Sequence, residues 1–143
     1  MINRYTKTSA ILLTLLVTFL YNSNYTFAST TCGSGEYVLS AYYSPVPGQS
    51  RYATGTYEGD IRLNGGGVMT ASGTAVKDAG GGFVAAPPCM EFGTILSIDG
   101  LGTVKVLDRG GAIKGHRLDI WMGYGDEGLA SALKWGKNMS LLL

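Results

Sequence analysis

The sequence predicts a small all-β barrel with one short helix near the C-terminus. Short segments rich in β-branched and aromatic side chains recur along the chain and are separated by turn residues. Glycine supplies 22 of the 143 residues, a content that suits the tight crossings of a small barrel. Closing the sheet also removes exposed strand edges, so these observations favour a barrel over an open sheet.

The first 28 residues have the pattern of a signal peptide. Arg4 and Lys7 form a basic start, an apolar run follows, and small residues precede an expected cleavage after Ala28. The run is short for a membrane span, and an uncleaved N-terminal anchor is the alternative. The sequence predicts a signal peptide over residues 1–28, one domain over residues 29–143, and a secreted or envelope-associated protein.

The charge of the predicted mature chain argues against two classes of partner. Without Arg4 and Lys7, nine basic residues stand against ten acidic ones. A nearly neutral chain gives no electrostatic case for binding nucleic acid or anionic lipid. It suits a neutral or mixed-charge polymer such as a polysaccharide, and we expect a monomer.

Six or seven strands are expected, with one helix. In chain order, the predicted strands are residues 37–43, 70–76, 83–86, 94–98, 103–107, 118–122 and 138–143. Residues 49–68 are predicted to be either a binding loop or an extra hairpin. Leucine and alanine at helical spacing predict a helix over Glu127 to Trp135, with Asp126 as its cap and Gly136 at its end.

Two aspartates lie in the stretch LDRGGAIKGHRLDIW, residues 107–121. Alternation predicts Asp108 on the same strand face as Val104 and Val106, and Asp119 on the same face as Trp121. A Gly-Gly reversal between the two strands would bring both carboxylates into one cleft. Two aspartates that merely cap turns are the alternative.

The same stretch resembles the signature of the bacterial 3D domain family, which is named for three aspartates. The pattern also occurs in the catalytic part of membrane-bound lytic transglycosylase A. Asp108 and Asp119 match two of the three family aspartates, with the family's spacing. Weaker matches are Thr-Ala-Ser-Gly at residues 70–73 and Phe-Gly-Thr at residues 92–94. At the place of the remaining family aspartate this chain has Ala86.

The resemblance implies the fold and the chemistry. It implies a six-stranded double-psi β-barrel and cleavage of the bond between N-acetylmuramic acid and N-acetylglucosamine in peptidoglycan glycan strands. Asp119 would act as the single acid and base and yield 1,6-anhydro products. Burial beside Trp121 or a nearby ionised Asp108 would each raise the pKa of Asp119. The expected substrate-binding residues are Lys114, Gly110, Gly111, Tyr42, Tyr43, Tyr124, Thr70 and Ser72. For the tyrosines, a place in the core is the alternative.

The two cysteines, Cys32 and Cys89, are candidates for one disulfide in an exported protein. Two buried thiols are the alternative. No metal site is expected, because His116 is the only histidine and there is no Cys-x-x-Cys. The sequence predicts no cofactor, and His116 is expected to be an exposed loop residue.

The competing function is a non-catalytic module that binds cell-wall polysaccharide. The same barrel occurs in rare lipoprotein A-like proteins and in plant expansins, where related domains bind or loosen polysaccharide. Alanine in place of the third family aspartate supports this alternative. A serine esterase or peptidase has little support, because the sequence lacks a Gly-x-Ser-x-Gly elbow.

Overall fold

The computed structural model describes residues 32, 35–80, 82–136 and the backbone of 141–142. Its strands are β1 (Glu36–Ser44), β2 (Phe83–Ala85), β3 (Ile95–Ile98), β4 (Gly102–Asp108), β5 (Arg117–Tyr124) and β6 (Leu141–Leu142); its helices are α1 (Tyr57–Asn64) and α2 (Gly125–Trp135), with a 3₁₀ turn at Val76–Asp78. The protein is therefore mostly β with a C-terminal helix, as predicted. The expected cleavage after Ala28 lies outside the described residues.

The strands form one curled, mixed sheet in the order β3-β4-β2-β5-β1-β6. β1 runs parallel to β5 and β2 runs parallel to β4, whereas β2 and β5 are antiparallel. The described residues show no pairing between the two end strands, β3 and β6. The described strands thus form a half-barrel.

Alternating side chains divide the sheet residues into two buried clusters. The larger cluster includes Leu39, Val84, Val106 and Leu118, which pack together on one face. The smaller one, on the other face, contains Tyr42, Val76, Phe83 and Leu107, with Trp121 packed against them. We call this second side the aromatic face; it is the side that carries the candidate site.

The disulfide between Cys32 and Cys89 is present, as predicted. It closes a loop with a sequence separation of 57 residues. In the chain-entropy description such a link contributes on the order of 4 kcal/mol to the free energy of unfolding. A disulfide is typical of proteins that fold in an oxidising, extracellular environment.

Two local predictions were wrong. Residues 70–76 form a turn with a single bridge between Met69 and Ala75 instead of a strand. The region expected to be a loop or hairpin contains α1, which begins because the Thr56 hydroxyl accepts the amide of Gly59 and ends at Gly65 with φ 79°.

The C-terminal helix is confirmed, but its predicted cap is not. α2 begins after Tyr124, which makes no side-chain capping bond. The carboxylate of Asp126 instead accepts the amides of Ser50 and Arg51 and so ties the loop between β1 and α1 to the first turn of α2. Within the part of the chain described, no helix is long and apolar enough to cross a membrane.

Candidate active site

Asp108 ends β4 at a β-bulge that turns its carboxylate toward the aromatic face. Val84 pairs with Val106 but Ala85 pairs with Asp108, so the register skips Leu107. The predicted face for Asp108, shared with Val104 and Val106, is therefore wrong. A bulge inserts one unpaired residue and reverses the alternation that follows it.

Three hydrogen bonds hold the Asp108 carboxylate. Oδ1 accepts the amides of Ala71 and Arg109, each at 2.9 Å, and Oδ2 accepts the hydroxyl of Tyr42 at 2.8 Å. Burial and the charge of Asp108 raise the pKa of Tyr42, so its phenol stays protonated and donates. Asp108 is thus anchored by both of its oxygens.

The Thr-Ala-Ser-Gly stretch forms the turn that delivers one of these donors. The Ser72 amide donates to the carbonyl of Leu107, which docks the turn on the end of β4. The hydroxyls of Thr70 and Ser72 bond each other at 2.9 Å, and the Ser72 hydroxyl also lies 3.1 Å from that of Thr74. In this structure the two predicted ligand-binding hydroxyls are engaged within the turn.

Asp119 lies in the middle of β5, half-buried, with one oxygen held and one open. Ser40 on β1 donates its hydroxyl to Asp119 Oδ1 at 2.7 Å. Oδ2 makes no hydrogen bond to any described residue. Burial, reinforced by the charge of Asp108, raises the pKa of Asp119, while the Ser40 hydrogen bond and Arg117 limit the rise.

The sheet brings the two carboxylates together through an intervening strand. Ala85 on β2 is the register partner of Asp108 on one side and of Asp119 on the other. With strands about 4.8 Å apart, the two Cα atoms lie about 10 Å from each other. The expected direct reversal between β4 and β5 was wrong, because β2 lies between them.

Aromatic rings border this pair. Trp121 stacks on Phe83 with a centroid separation of 5.0 Å, and its indole N–H donates to the Ser44 hydroxyl. Tyr124 meets Trp121 edge to face at 5.2 Å and is 41% exposed. Tyr42 is 9% exposed and belongs to the buried cluster beneath the two carboxylates. Trp121 and Tyr124 thus present partly accessible rings next to the carboxylates; we call this part of the aromatic face, with Asp108 and Asp119, the cleft.

The loop after Asp108 contains the other predicted ligand-binding residues. Lys114 and Gly111 are exposed, and Gly110 is half-buried. A Cβ at Gly110 would lie 2.7 Å from Ile113, so the loop packing requires glycine there. No hydrogen bond joins Lys114 to another described residue, which leaves its ammonium group accessible.

Arg109 points away from the Asp108 carboxylate. Its guanidinium donates to the carbonyls of Ala86 and Met90 and lies 4.0 Å from the ring centre of Phe92. Arg109 therefore holds the segment after β2. His116 is exposed, as predicted, and stacks on Tyr37.

Tyr43 is not in this cleft, which corrects its predicted position. It is 2% exposed and donates its hydroxyl to Asp60, a fully buried aspartate of α1. Burial favours the protonated acid, but bonds from the Thr54 side chain, Tyr43 and the Thr54 and Ala53 amides outweigh it and lower the pKa of Asp60 to about 2.

Ala86, at the place of the third family aspartate, is fully buried in the larger cluster. It therefore lies on the sheet face opposite Ala85 and the two carboxylates. Sequence reasoning missed Ser40, although the period of two places it on the same side of β1 as Tyr42. Among the described residues no three His, Cys, Asp or Glu side chains cluster as a metal site would require.

Comparison with known families identifies one match. The model of the 3D domain matches residues 84–141, which span β2 to β6 and include both aspartates. No curated protein matches the chain.

Proposed function

We propose that this chain, whose residues 84–141 match the model of the 3D domain, is an exported lytic transglycosylase of peptidoglycan. The observation that carries the proposal is the state of Asp119. It is a half-buried carboxyl with one open oxygen, and its pKa is raised, as an acid catalyst requires.

In the proposed reaction Asp119 performs both proton transfers. Protonated Asp119 gives its proton to the glycosidic oxygen between N-acetylmuramic acid and N-acetylglucosamine, and the bond to the anomeric carbon breaks. The C6 hydroxyl of the same muramic acid attacks that carbon, and ionised Asp119 takes the hydroxyl proton. A 1,6-anhydro ring forms, no water is consumed, and the carboxyl returns to its starting state.

One carboxylate suffices for this chemistry because the nucleophile is part of the substrate. Ordinary glycosidases need a second carboxylate as nucleophile or to activate water. The C6 hydroxyl is already held near the anomeric carbon, and this proximity replaces a bulk nucleophile. Asp108, whose two oxygens are held by three donors, would anchor the turn beside Asp119 instead of exchanging protons with the substrate.

The remaining residues of the cleft are assigned to binding. Trp121 and Tyr124 offer ring surface to the sugars, and Lys114 supplies a positive charge above the glycine loop. We propose that the half-barrel closes into a double-psi barrel and that residues 1–28 direct export and are removed. The disulfide supports an extracellular location.

A polysaccharide-binding module is the second candidate, favoured by the alanine at position 86. In this chain, however, Ala86 lies in the core on the opposite face of the sheet, so its identity removes no carboxylate from the cleft. The argument for a binder is weaker for that reason.

Product analysis decides between these functions. Purified peptidoglycan sacculi are digested with the protein, and the soluble fragments are analysed by mass spectrometry. We expect muropeptides that end in 1,6-anhydro-muramic acid, each one water lighter than a hydrolysis product. Reducing ends would instead indicate a hydrolase, and sedimentation with sacculi without released fragments would indicate a binding module.

A further inference from the structure

Ser40 faces Asp119 directly across the β1–β5 ladder. The two residues are register partners in the parallel pairing, and the Ser40 hydroxyl lies 2.7 Å from Asp119 Oδ1. Both belong to central parts of regular strands, so the backbone of the sheet fixes their relative position. Side chains on strands hold a catalytic geometry more accurately than side chains on loops.

This contact makes the two oxygens of Asp119 unequal. Oδ1 accepts the serine hydroxyl, whereas Oδ2 has no partner among the described residues. We propose that Ser40 is a positioning residue that holds Asp119 by Oδ1, so that Oδ2 is the oxygen that delivers and recovers the proton. The assignment of Oδ2 rests on the proposed function; the orientation by Ser40 does not.

The hydroxyl of Ser40 has one strong and one weak acceptor. Its other acceptor is the carbonyl of Leu118 at 3.4 Å. A hydrogen bond to an ionised carboxylate is stronger than one to a neutral group, so Ser40 stabilises ionised Asp119 more than protonated Asp119. Burial has the opposite effect on the pKa of Asp119. An acid that must also act as a base needs both states to be accessible.

A graded series at position 40 tests the orientation without substrate. The pKa of Asp119 is measured from its carboxyl ¹³C signal in the parent, Ser40→Thr, Ser40→Cys and Ser40→Ala. Thr keeps the hydroxyl, Cys keeps only a weak donor, and Ala has none. We expect the pKa to be unchanged in Thr and to rise from Thr to Cys to Ala. Ser97→Ala, on an exposed part of β3, is the matched control and should leave the titration unchanged.

Kinetics on sacculi test the catalytic part. Loss of one hydrogen bond to a charged group corresponds to roughly a tenfold decrease in kcat for Ser40→Ala. KM should not change, because Ser40 contacts the catalyst and not the sugar. Ser40→Thr should restore kcat.

Two results would overturn the inference. One is a pKa of Asp119 that is the same in the Thr and Cys variants, a comparison that remains valid even if Ser40→Ala does not fold. The other is a rise in KM with constant kcat, which would make Ser40 a substrate contact. A parent protein that releases no anhydro product refutes the proposed function, and the titration still decides whether Ser40 orients Asp119.

Discussion

Asp60 and Asp119 are both withdrawn from solvent, yet the protein shifts their pKa values in opposite directions. They contact opposite sides of β1, Asp60 through Tyr43 and Asp119 through Ser40. Asp60 is fully buried and receives four donors, and its pKa falls to about 2. Asp119 is half-buried and receives one donor, and its pKa rises.

The comparison shows that the number of donors, and not burial alone, decides the direction of the shift. Each hydrogen bond to a carboxylate favours the ionised form, whereas burial favours the neutral form. Asp60 is consequently a structural anion that joins α1 and the preceding loop to the sheet. Asp119 keeps an accessible neutral form, which suits an acid.

The largest effect is expected from removing the carboxylic acid in the cleft. Asp119→Asn is nearly isosteric and still accepts from Ser40, but it cannot donate and recover a proton. General acid–base catalysis typically contributes 10²–10⁴-fold, so release of anhydro product should fall by at least about 10²-fold. The melting temperature should stay within a few degrees of the parent's.

Asp78→Asn is the matched control for this variant. Asp78 is an exposed aspartate paired with Lys77 at 3.2 Å, outside the cleft. It should keep full activity, and circular dichroism should show both variants folded. Full activity in folded Asp119→Asn would remove Asp119 from the mechanism.

Asp60→Asn should have the opposite result from Asp119→Asn, because it should reduce stability rather than act on catalysis directly. Its amide group would face donors that now bond a carboxylate, and charged hydrogen bonds contribute about 1.5–3 kcal/mol each. We expect the free energy of unfolding to fall by about 3 kcal/mol, measured by urea denaturation. If Asp60→Asn is as stable as the parent, the four donors do not stabilise the carboxylate as argued.

The opposite shifts also predict opposite pH dependences of stability. The folded pKa of Asp60 lies below its unfolded value, so its contribution is complete above about pH 4 and is lost as pH falls through about 2. Asp119 has a raised folded pKa, so its ionisation lowers stability as pH rises from about 4 through that pKa.

Urea unfolding of the parent, Asp60→Asn and Asp119→Asn at several pH values measures how the free energy of unfolding depends on pH in each protein. The stability deficit of Asp60→Asn should shrink as pH falls from about 4 to 2. Relative to the parent, Asp119→Asn should gain stability between acid and neutral pH. Parallel stability curves for the parent and both variants would contradict the two assignments.

Local patterns predicted much of this arrangement, and long-range pairing accounts for what they missed. Aromatic and β-branched side chains were enough to find β1, alternation was enough to find β5, and helical spacing was enough to find α2. β2 lies between β4 and β5 through a non-local pairing. Turn residues indicate only which neighbouring segments pair, so they could not predict this arrangement. The bulge at Leu107 is visible only in the register with β2.

In the candidate site too, local sequence patterns missed the residues that long-range pairing supplies. The motif identified Asp108 and Asp119, but it contains neither Ser40 nor Tyr42, which approach from a strand far away in sequence. α1 was missed because it is eight residues long, includes Gly59 and is mostly polar, a composition typical of loops. The burial of Asp60 follows from the fold of that segment and has no separate sequence signal.

The smallest expected effect concerns Asp108, the third aspartate in the comparison. In Asp108→Asn the amide oxygen can still accept the amides of Ala71 and Arg109, and its NH₂ group can donate to the Tyr42 hydroxyl. The turn therefore stays in place, and only the negative charge is lost. That charge raises the pKa of Asp119, so its removal lowers the pKa.

In the proposed reaction, activity requires protonated Asp119 and is lost as pH rises through the pKa of Asp119. The alkaline limb of the pH–rate profile of Asp108→Asn should therefore move to lower pH, while activity at acidic pH decreases less than tenfold. Asp126→Asn is the matched control, because Asp126 also accepts two backbone amides but lies outside the cleft; its profile should match the parent's. A loss as large as that of Asp119→Asn, with an unmoved limb, would mean that Asp108 itself takes part in proton transfer.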